Sequence, residues 1–211
     1  MVSSPEQADG YILSKHRIEG LTDGIFAIAM TIAVLDISVN ELLSVGAPVD
    51  YHAVFSLFWP QIFHYAITFV ILAMFWIRLH GMFHNIQHVD NTFIWLNMCS
   101  LFFICLMPFS TAVIGDFPDS PGAIIFYAFN LFMIGIIYYG IVCHASKDNH
   151  LLVPEVSAKV IERSKRRTLI IPVVSVCVAA AAFVIPEFAT TLFLLIWLGH
   201  LWIEKTGSHL S

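Results

Sequence analysis

The stretch HRIEGLTDGIFAIAMTIAVLDISV, residues 16–39, decides the fold class because it contains a run of about twenty residues suited to cross a lipid bilayer. Three polar side chains interrupt this run: the hydroxyls of Thr22 and Thr31 and the carboxylate of Asp23. A carboxylate within a membrane span is costly and normally faces a helix bundle or a water-filled cavity. The stretch therefore predicts a membrane helix in which Asp23 has partners on other helices or on a neighbouring subunit.

The composition extends this prediction to the whole chain of 211 residues, of which 58% are hydrophobic and only 12% are charged. A soluble domain carries about 25% charged residues, so an integral membrane protein is predicted. No linker, low-complexity tract or internal repeat divides the sequence, which predicts one domain over residues 1–211. The net charge of −5 argues against a nucleic-acid partner, and the basic run KVIERSKRR at 159–167 is interpreted as a cytoplasmic loop.

Hydropathy over a window of about 19 residues predicts an all-α protein with six membrane helices. The last two helices are separated at Pro186, because one helix across both would measure about 54 Å against a hydrocarbon core of about 30 Å. The predicted helices span residues 20–40, 53–77, 92–115, 122–143, 168–185 and 188–203.

The basic residues predict the orientation of these helices. All ten Lys and Arg residues fall on one side of the six-helix arrangement, with Arg78 at the end of the second helix. The loops on the opposite side contain Asp and Glu but no Lys or Arg. Basic residues are enriched in cytoplasmic loops, so both termini are predicted to be cytoplasmic.

One face of the first helix is apolar along its whole length. At about 100° per residue its members fall within a stripe about 80° wide, with Thr31 at the edge and Thr22 and Asp23 outside it. Such a stripe is typical of lipid contact and of helix packing as well as of a pore, and periodicity alone leaves the three open. The stripe consists of Leu21, Gly24, Ile28, Ile32, Leu35 and Val39.

A motif in the same helix resembles the signature of the transmembrane protein 175 family of potassium channels. Arg17, three further residues and then LTDG and IFAIAMTIAVLDI follow the family pattern Arg-x-x-x-Phe-Ser-Asp, with Leu21 and Thr22 in place of the Phe and Ser. The resemblance implies a short prokaryotic member in the plasma membrane. It also implies a homotetramer in which the first helix of each subunit lines a pore for potassium ions.

The resemblance further implies roles for individual residues. Ile28 corresponds to the narrowest pore constriction, Ile32 and Leu35 to further apolar layers, and Thr31 to a threonine that contributes to potassium preference. From its position at the outer end of the first helix, Asp36 is expected to contribute to a negative rim in a fourfold arrangement.

The polar residues of the motif are expected to form a network between helices. Arg17 and Asp23 are six residues apart, whereas ion pairs within one helix prefer a separation of three or four. Thr22 is expected in the same network. His64, inside the second helix, is a candidate partner of Arg17 or Asp23; its other interpretation is a hydrogen bond to a backbone carbonyl.

Two other functions remain as alternatives. A proton-coupled transporter is one; the other is a membrane enzyme with a histidine-bound metal, because His80, His84 and His88 recur every four residues and are expected on one helical face. No Glu-rich partner motif accompanies them, so neither enzyme activity, a metal nor a cofactor is expected. The four cysteines lie in or beside apolar runs and are expected to be buried and free of disulfides.

Overall fold

The computed structural model describes residues 15–35, 51–147, 151–185, 189–193 and 195. In these residues the chain forms five long α-helices and a short 3₁₀ helix at Thr190–Phe193. The α-helices are α1 (Lys15–Leu35), α2 (Tyr51–Asn85), α3 (Asn91–Asp116), α4 (Pro121–Ala145) and α5 (Ala158–Ala181).

Local sequence signals fix the starts of the two central helices. The Asp90 carboxylate accepts a hydrogen bond from the backbone N–H of Phe93 at 2.7 Å and so caps the N-terminus of α3. Helix α4 begins with Pro121, whose missing N–H costs nothing in the first turn. The turn between α3 and α4 is therefore short and well defined.

Within the described residues, four helices are long and apolar enough to cross a membrane: α1, α3, α4 and the Phe58–Asn85 part of α2. The prediction of an all-helical membrane protein is confirmed. The sixth predicted helix, 188–203, lies largely outside the described residues, and so do both predicted cytoplasmic termini.

Two boundaries differ from the sequence prediction. Helix α2 continues to Asn85, so that Arg78 lies inside the helix rather than at its end. The basic run 159–167 belongs to α5 and is not a loop. Lys, Arg and Glu lower the hydropathy of this run, but they are good helix formers, and no Gly or Pro interrupts it.

The prediction of buried cysteines was also wrong. All four cysteines are free, but Cys99, Cys105 and Cys177 are exposed on the single chain and Cys143 is only partly buried. The surface that a membrane helix turns to lipid is as apolar as the surface that it packs, so an apolar sequence context does not indicate burial.

Helices α3, α4 and α5 form the centre of the bundle, and α1 packs on α2 and α3. The contact between α4 and α5 is close at Gly135, where a Cβ atom would lie 2.6 Å from both Cγ and Cδ of Pro172. The proline ring is rigid and cannot move aside as a flexible side chain would. Glycine at 135 is therefore required by the approach of the two helices.

We expect Gly135→Ala to destabilise the protein by about 1–3 kcal/mol, the usual range for an added methyl group in a packed core. Gly140→Ala on the same helix is the matched control, because a Cβ at Gly140 meets no atom within 4 Å. Thermal unfolding of the purified variants in detergent measures the difference. Equal melting temperatures for the two variants would contradict this packing.

Candidate functional site

Helix α1 has one face that the rest of the chain covers. This face carries Thr22 and Phe26 in its middle and packs on α2 and α3. Its buried residues are Ile18, Thr22, Phe26, Ala29 and Ala33. Their spacing of three or four residues makes them one continuous surface.

The opposite face of α1 is the apolar stripe, and no other helix in the described part of the chain covers it. Ile28 is 57% exposed and Leu35 77% exposed, and Leu21 and Ile32 are exposed as well. At Gly24 a Cβ atom would meet nothing within 4 Å. The stripe is therefore free to face lipid, a neighbouring subunit or a pore.

Thr31 lies at the edge of the stripe and is exposed. Its hydroxyl is 2.9 Å from the carbonyl oxygens of both Ala27 and Ile28, to which it donates its single proton. A hydroxyl that donates in this way keeps its lone pairs as acceptors. Thr31 thus presents an oxygen that can still accept a contact from a cation or from water.

The buried Thr22 is held by α3. The Asn97 side-chain amide donates a hydrogen bond to the Thr22 hydroxyl at 3.0 Å, and both side chains are buried. This contact fixes the rotation of α1 about its axis, because it joins the covered face of α1 to the centre of the bundle. The sequence analysis identified Thr22 but missed Asn97, a lone amide in an apolar run.

Asp23 has a partner on α2. The indole N–H of Trp76 donates a hydrogen bond to Asp23 Oδ1 at 2.8 Å, and the Trp76 ring stacks on the His80 ring with centroids 5.6 Å apart. His80 Nδ1 lies 3.9 Å from Glu19 Oε1 of α1. These contacts attach the Lys15 end of α1 to α2. The sequence did not indicate this role for Trp76, because indole rings near helix ends are commonly membrane anchors.

In the described residues, neither Arg17 nor His64 forms a hydrogen bond or an ion pair with Asp23, whose partner is Trp76. Arg17 is exposed and lies eleven residues, or about three turns, before Ile28, which puts it on the same side as the stripe. His64 Nδ1 donates a hydrogen bond to the carbonyl of Pro60 at 2.7 Å within α2. Of the two interpretations of His64, the structure shows the hydrogen bond to a backbone carbonyl. Asp36, expected at the outer rim, lies outside the described residues.

The histidine series of α2 does not form a common face. The helix ends at Asn85, and His88 lies beyond it, so the expected regular spacing of His80, His84 and His88 is broken. Among the residues that the structure describes, no group of three or more His, Cys, Asp or Glu side chains could hold a metal ion.

We expect Thr22→Val to lower the stability of the protein by about 1 kcal/mol, because the buried Asn97 amide would lose its acceptor. Val has nearly the shape of Thr, so the change removes the hydroxyl and little else. Thr22→Ser keeps the hydroxyl and is the control. The free energy of unfolding in detergent compares them; a Ser variant no more stable than the Val variant would show that packing, and not the hydrogen bond, holds α1.

Comparisons with known proteins point to one family. A family model described as the endosomal/lysosomal potassium channel TMEM175 matches residues 17–108. The chain is 30% identical over 155 residues to a potassium channel of Chamaesiphon minutus, covering 72% of this chain and 73% of that protein. It is 26% identical over 186 residues to the endosomal/lysosomal proton channel TMEM175 of Rattus norvegicus, covering 87% of this chain and 37% of the rat protein.

The fold is also similar to that of a solved structure. The crystal structure of a lysosomal potassium-selective channel TMEM175 homolog from Chamaesiphon minutus superposes with a TM-score of 0.75 at 24% identity. The match covers 90% of this chain and 97% of that one. The arrangement of helices described above is thus shared with a known channel.

Proposed function

Because the chain belongs to the TMEM175 family of ion channels, we propose that it conducts potassium ions across a membrane through a pore lined by α1. A member of this family is a channel and not an enzyme. The bacterial relative from Chamaesiphon minutus is named a potassium channel, which supports potassium as the permeant ion of this chain too.

The observation that carries the proposal is the uncovered stripe of α1. The helix is attached to its own subunit by the opposite face, through Thr22 and Asn97, and by Asp23, which accepts from Trp76. The stripe with Ile28 and Ile32 is left exposed by every other helix that the structure describes. Around a fourfold axis, four such stripes would meet and enclose a narrow apolar pore.

In this arrangement the protein is a homotetramer of six-helix subunits with both termini in the cytoplasm. Four Ile28 side chains form the narrowest ring, with Ile32 and Leu35 as further apolar layers. Thr31 provides the nearest hydroxyls, and Asp36 contributes to a negative outer rim. The prokaryotic plasma membrane is the proposed location, in keeping with bacterial relatives of similar length such as the one in Streptomyces collinus.

An apolar ring gives an ion no oxygen atoms to replace its hydration shell, so a closed Ile28 ring stops ions by steric blockage and dewetting. Opening must widen the ring enough to admit water. Potassium preference then depends on the size of the partly hydrated ion and on the Thr31 oxygens beside the ring.

Recordings from the purified protein in planar bilayers test this function. With unequal potassium concentrations on the two sides, we expect unitary currents that reverse close to the potassium equilibrium potential. Replacing potassium by sodium on one side should shift the reversal potential in the direction of potassium preference. Currents carried by chloride, or no current from a preparation shown to be tetrameric, would contradict the proposal.

Proton conduction is the second candidate, because the rat relative is named a proton channel. A pH difference across the same bilayer, at equal potassium concentrations, distinguishes the two. A reversal potential that follows the proton gradient favours proton conduction, and one that stays at zero favours potassium.

A further inference from the structure

A cavity of about 300 Å³ lies away from α1, between the C-terminal parts of α2 and α4 and the N-terminal part of α5. Three arginines line it: Arg78 from α2 and Arg163 and Arg167 from α5. Asp and Glu are absent from the described residues that line it. Three guanidinium groups, from two different helices, therefore line the same cavity.

Arg78 is the most unusual of the three. Both terminal nitrogens of its guanidinium group, Nη1 and Nη2, are shielded from solvent and have no hydrogen-bond partner in the described part of the chain. The nearby Arg167 adds a like charge that repels it. Burying a charge is costly unless it is paired and hydrogen-bonded, so an anion in the cavity would stabilise Arg78.

The cavity lies at the ends of the helices, where a membrane helix reaches the water phase. Helix α2 ends at Asn85 and α4 ends at Ala145, both beside the cavity, while α5 begins at Ala158. This is also the side on which the basic residues cluster and which they predict to be cytoplasmic. Anionic lipids are concentrated in the cytoplasmic leaflet, and basic pockets between membrane helices bind their head groups.

The helix dipoles change the balance of charge only slightly. Two helix C-termini each contribute about half a negative charge near the cavity, and the N-terminus of α5 about half a positive charge. Their sum is roughly half a negative charge, less than the full positive charge of the Arg78 guanidinium group. The dipoles therefore do not neutralise Arg78, whose terminal nitrogens have no partner in the described residues and remain available to an anion.

We propose that this cavity binds a phosphate-bearing anion through Arg78, Arg163 and Arg167. Guanidinium groups present their N–H donors in a planar fork that matches two phosphate oxygens, which a smaller ammonium group cannot do. The cavity also has apolar walls, including Val142, Val160 and Ile161, which suit the glycerol and first methylene groups of a lipid. A free phosphate offers the same oxygens without these apolar contacts.

The test uses the full purified chain in detergent, titrated with short-chain phosphatidylglycerol, with phosphatidylcholine or with inorganic phosphate, and follows the melting temperature. We expect phosphatidylglycerol to raise it and phosphatidylcholine, whose charge is neutralised, to have little effect. An increase with phosphatidylglycerol alone identifies a lipid head group, and an increase with inorganic phosphate as well identifies free phosphate as a ligand. No increase with either anion would overturn the proposal.

Variants assign the effect to the cavity. Arg78→Gln, Arg163→Gln and Arg167→Gln should each weaken binding by about five- to tenfold, the effect of one charge contact with a phosphate. Arg166→Gln is the matched control, because Arg166 is exposed, bonds to Glu162 at 3.0 Å and does not line the cavity. If Arg78→Gln fails to fold, Arg163→Gln and Arg167→Gln decide. If these variants bind the anion as tightly as Arg166→Gln does, the basic surface as a whole attracts it and the cavity does not, which would contradict the proposal.

Discussion

Replacing Ile28 by Asn is expected to raise the resting potassium current about tenfold or more, equivalent to lowering the barrier by ~1.4 kcal/mol. Asn has as many non-hydrogen side-chain atoms as Ile but offers an amide to water, so four copies would wet a ring that four isoleucines keep dry. Ile28 is 57% exposed on the single chain, so the change removes little packing within the subunit. The effect should therefore fall on conduction and leave the fold of the subunit intact.

Whole-cell or bilayer currents at fixed protein density measure the change. Val34→Asn is the matched control, because Val34 is also exposed on α1 but lies about 120° away from Ile28 around the helix. We expect its resting current to match that of the wild type. If Ile28→Asn leaves the current unchanged, or if both variants raise it equally, Ile28 is not the constriction.

Replacing Thr31 by Val should reduce the potassium-to-sodium permeability ratio by about threefold to tenfold, or ~0.6–1.4 kcal/mol. The hydroxyl of Thr31 bonds to the carbonyls of Ala27 and Ile28 and retains its acceptor lone pairs. Val has the same shape and no oxygen, so the pore keeps its width while four acceptors beside the constriction disappear. The closed state should remain tight.

Reversal potentials in mixed potassium and sodium solutions give the ratio. Thr31→Ser is the control, since it keeps the hydroxyl and loses only a methyl group, and its ratio should stay near that of the wild type. A Val variant with an unchanged ratio would leave ion selection to the apolar layers of Ile28 and Ile32. If the Ser variant has as low a ratio as the Val variant, packing of the Thr31 side chain, and not its hydroxyl, determines selectivity.

The number and type of the first five helices could be predicted from sequence, because long apolar runs in a membrane protein have no other stable conformation. The start of α5 could not. Its first turns carry Lys159, Arg163 and Arg167, which lower the hydropathy and hide the helix, although they favour it conformationally. Charge predicts the side of the membrane but does not mark where a helix begins.

The candidate site was likewise predicted only in part. Periodicity separated the stripe containing Ile28 from Thr22 and Asp23, since a helix has only one angular spacing. The partners of the polar residues were missed, because Asn97 and Trp76 lie 75 and 53 residues away in the chain and nothing local connects them to α1. Contacts between helices depend on how the bundle packs, which the pattern within one helix does not contain.

The central claim is that the uncovered stripe of α1 lines the ion pathway. The most direct measurement introduces cysteine at Ile32 or, for comparison, at Val34, and follows the potassium current while a membrane-impermeant charged thiol reagent is applied. The wild type, with its four native cysteines, sets the background. We expect rapid and complete block of Ile32→Cys, with Val34→Cys and the wild type unaffected. A current in Ile32→Cys that persists after stoichiometric modification of the new thiol would contradict the claim.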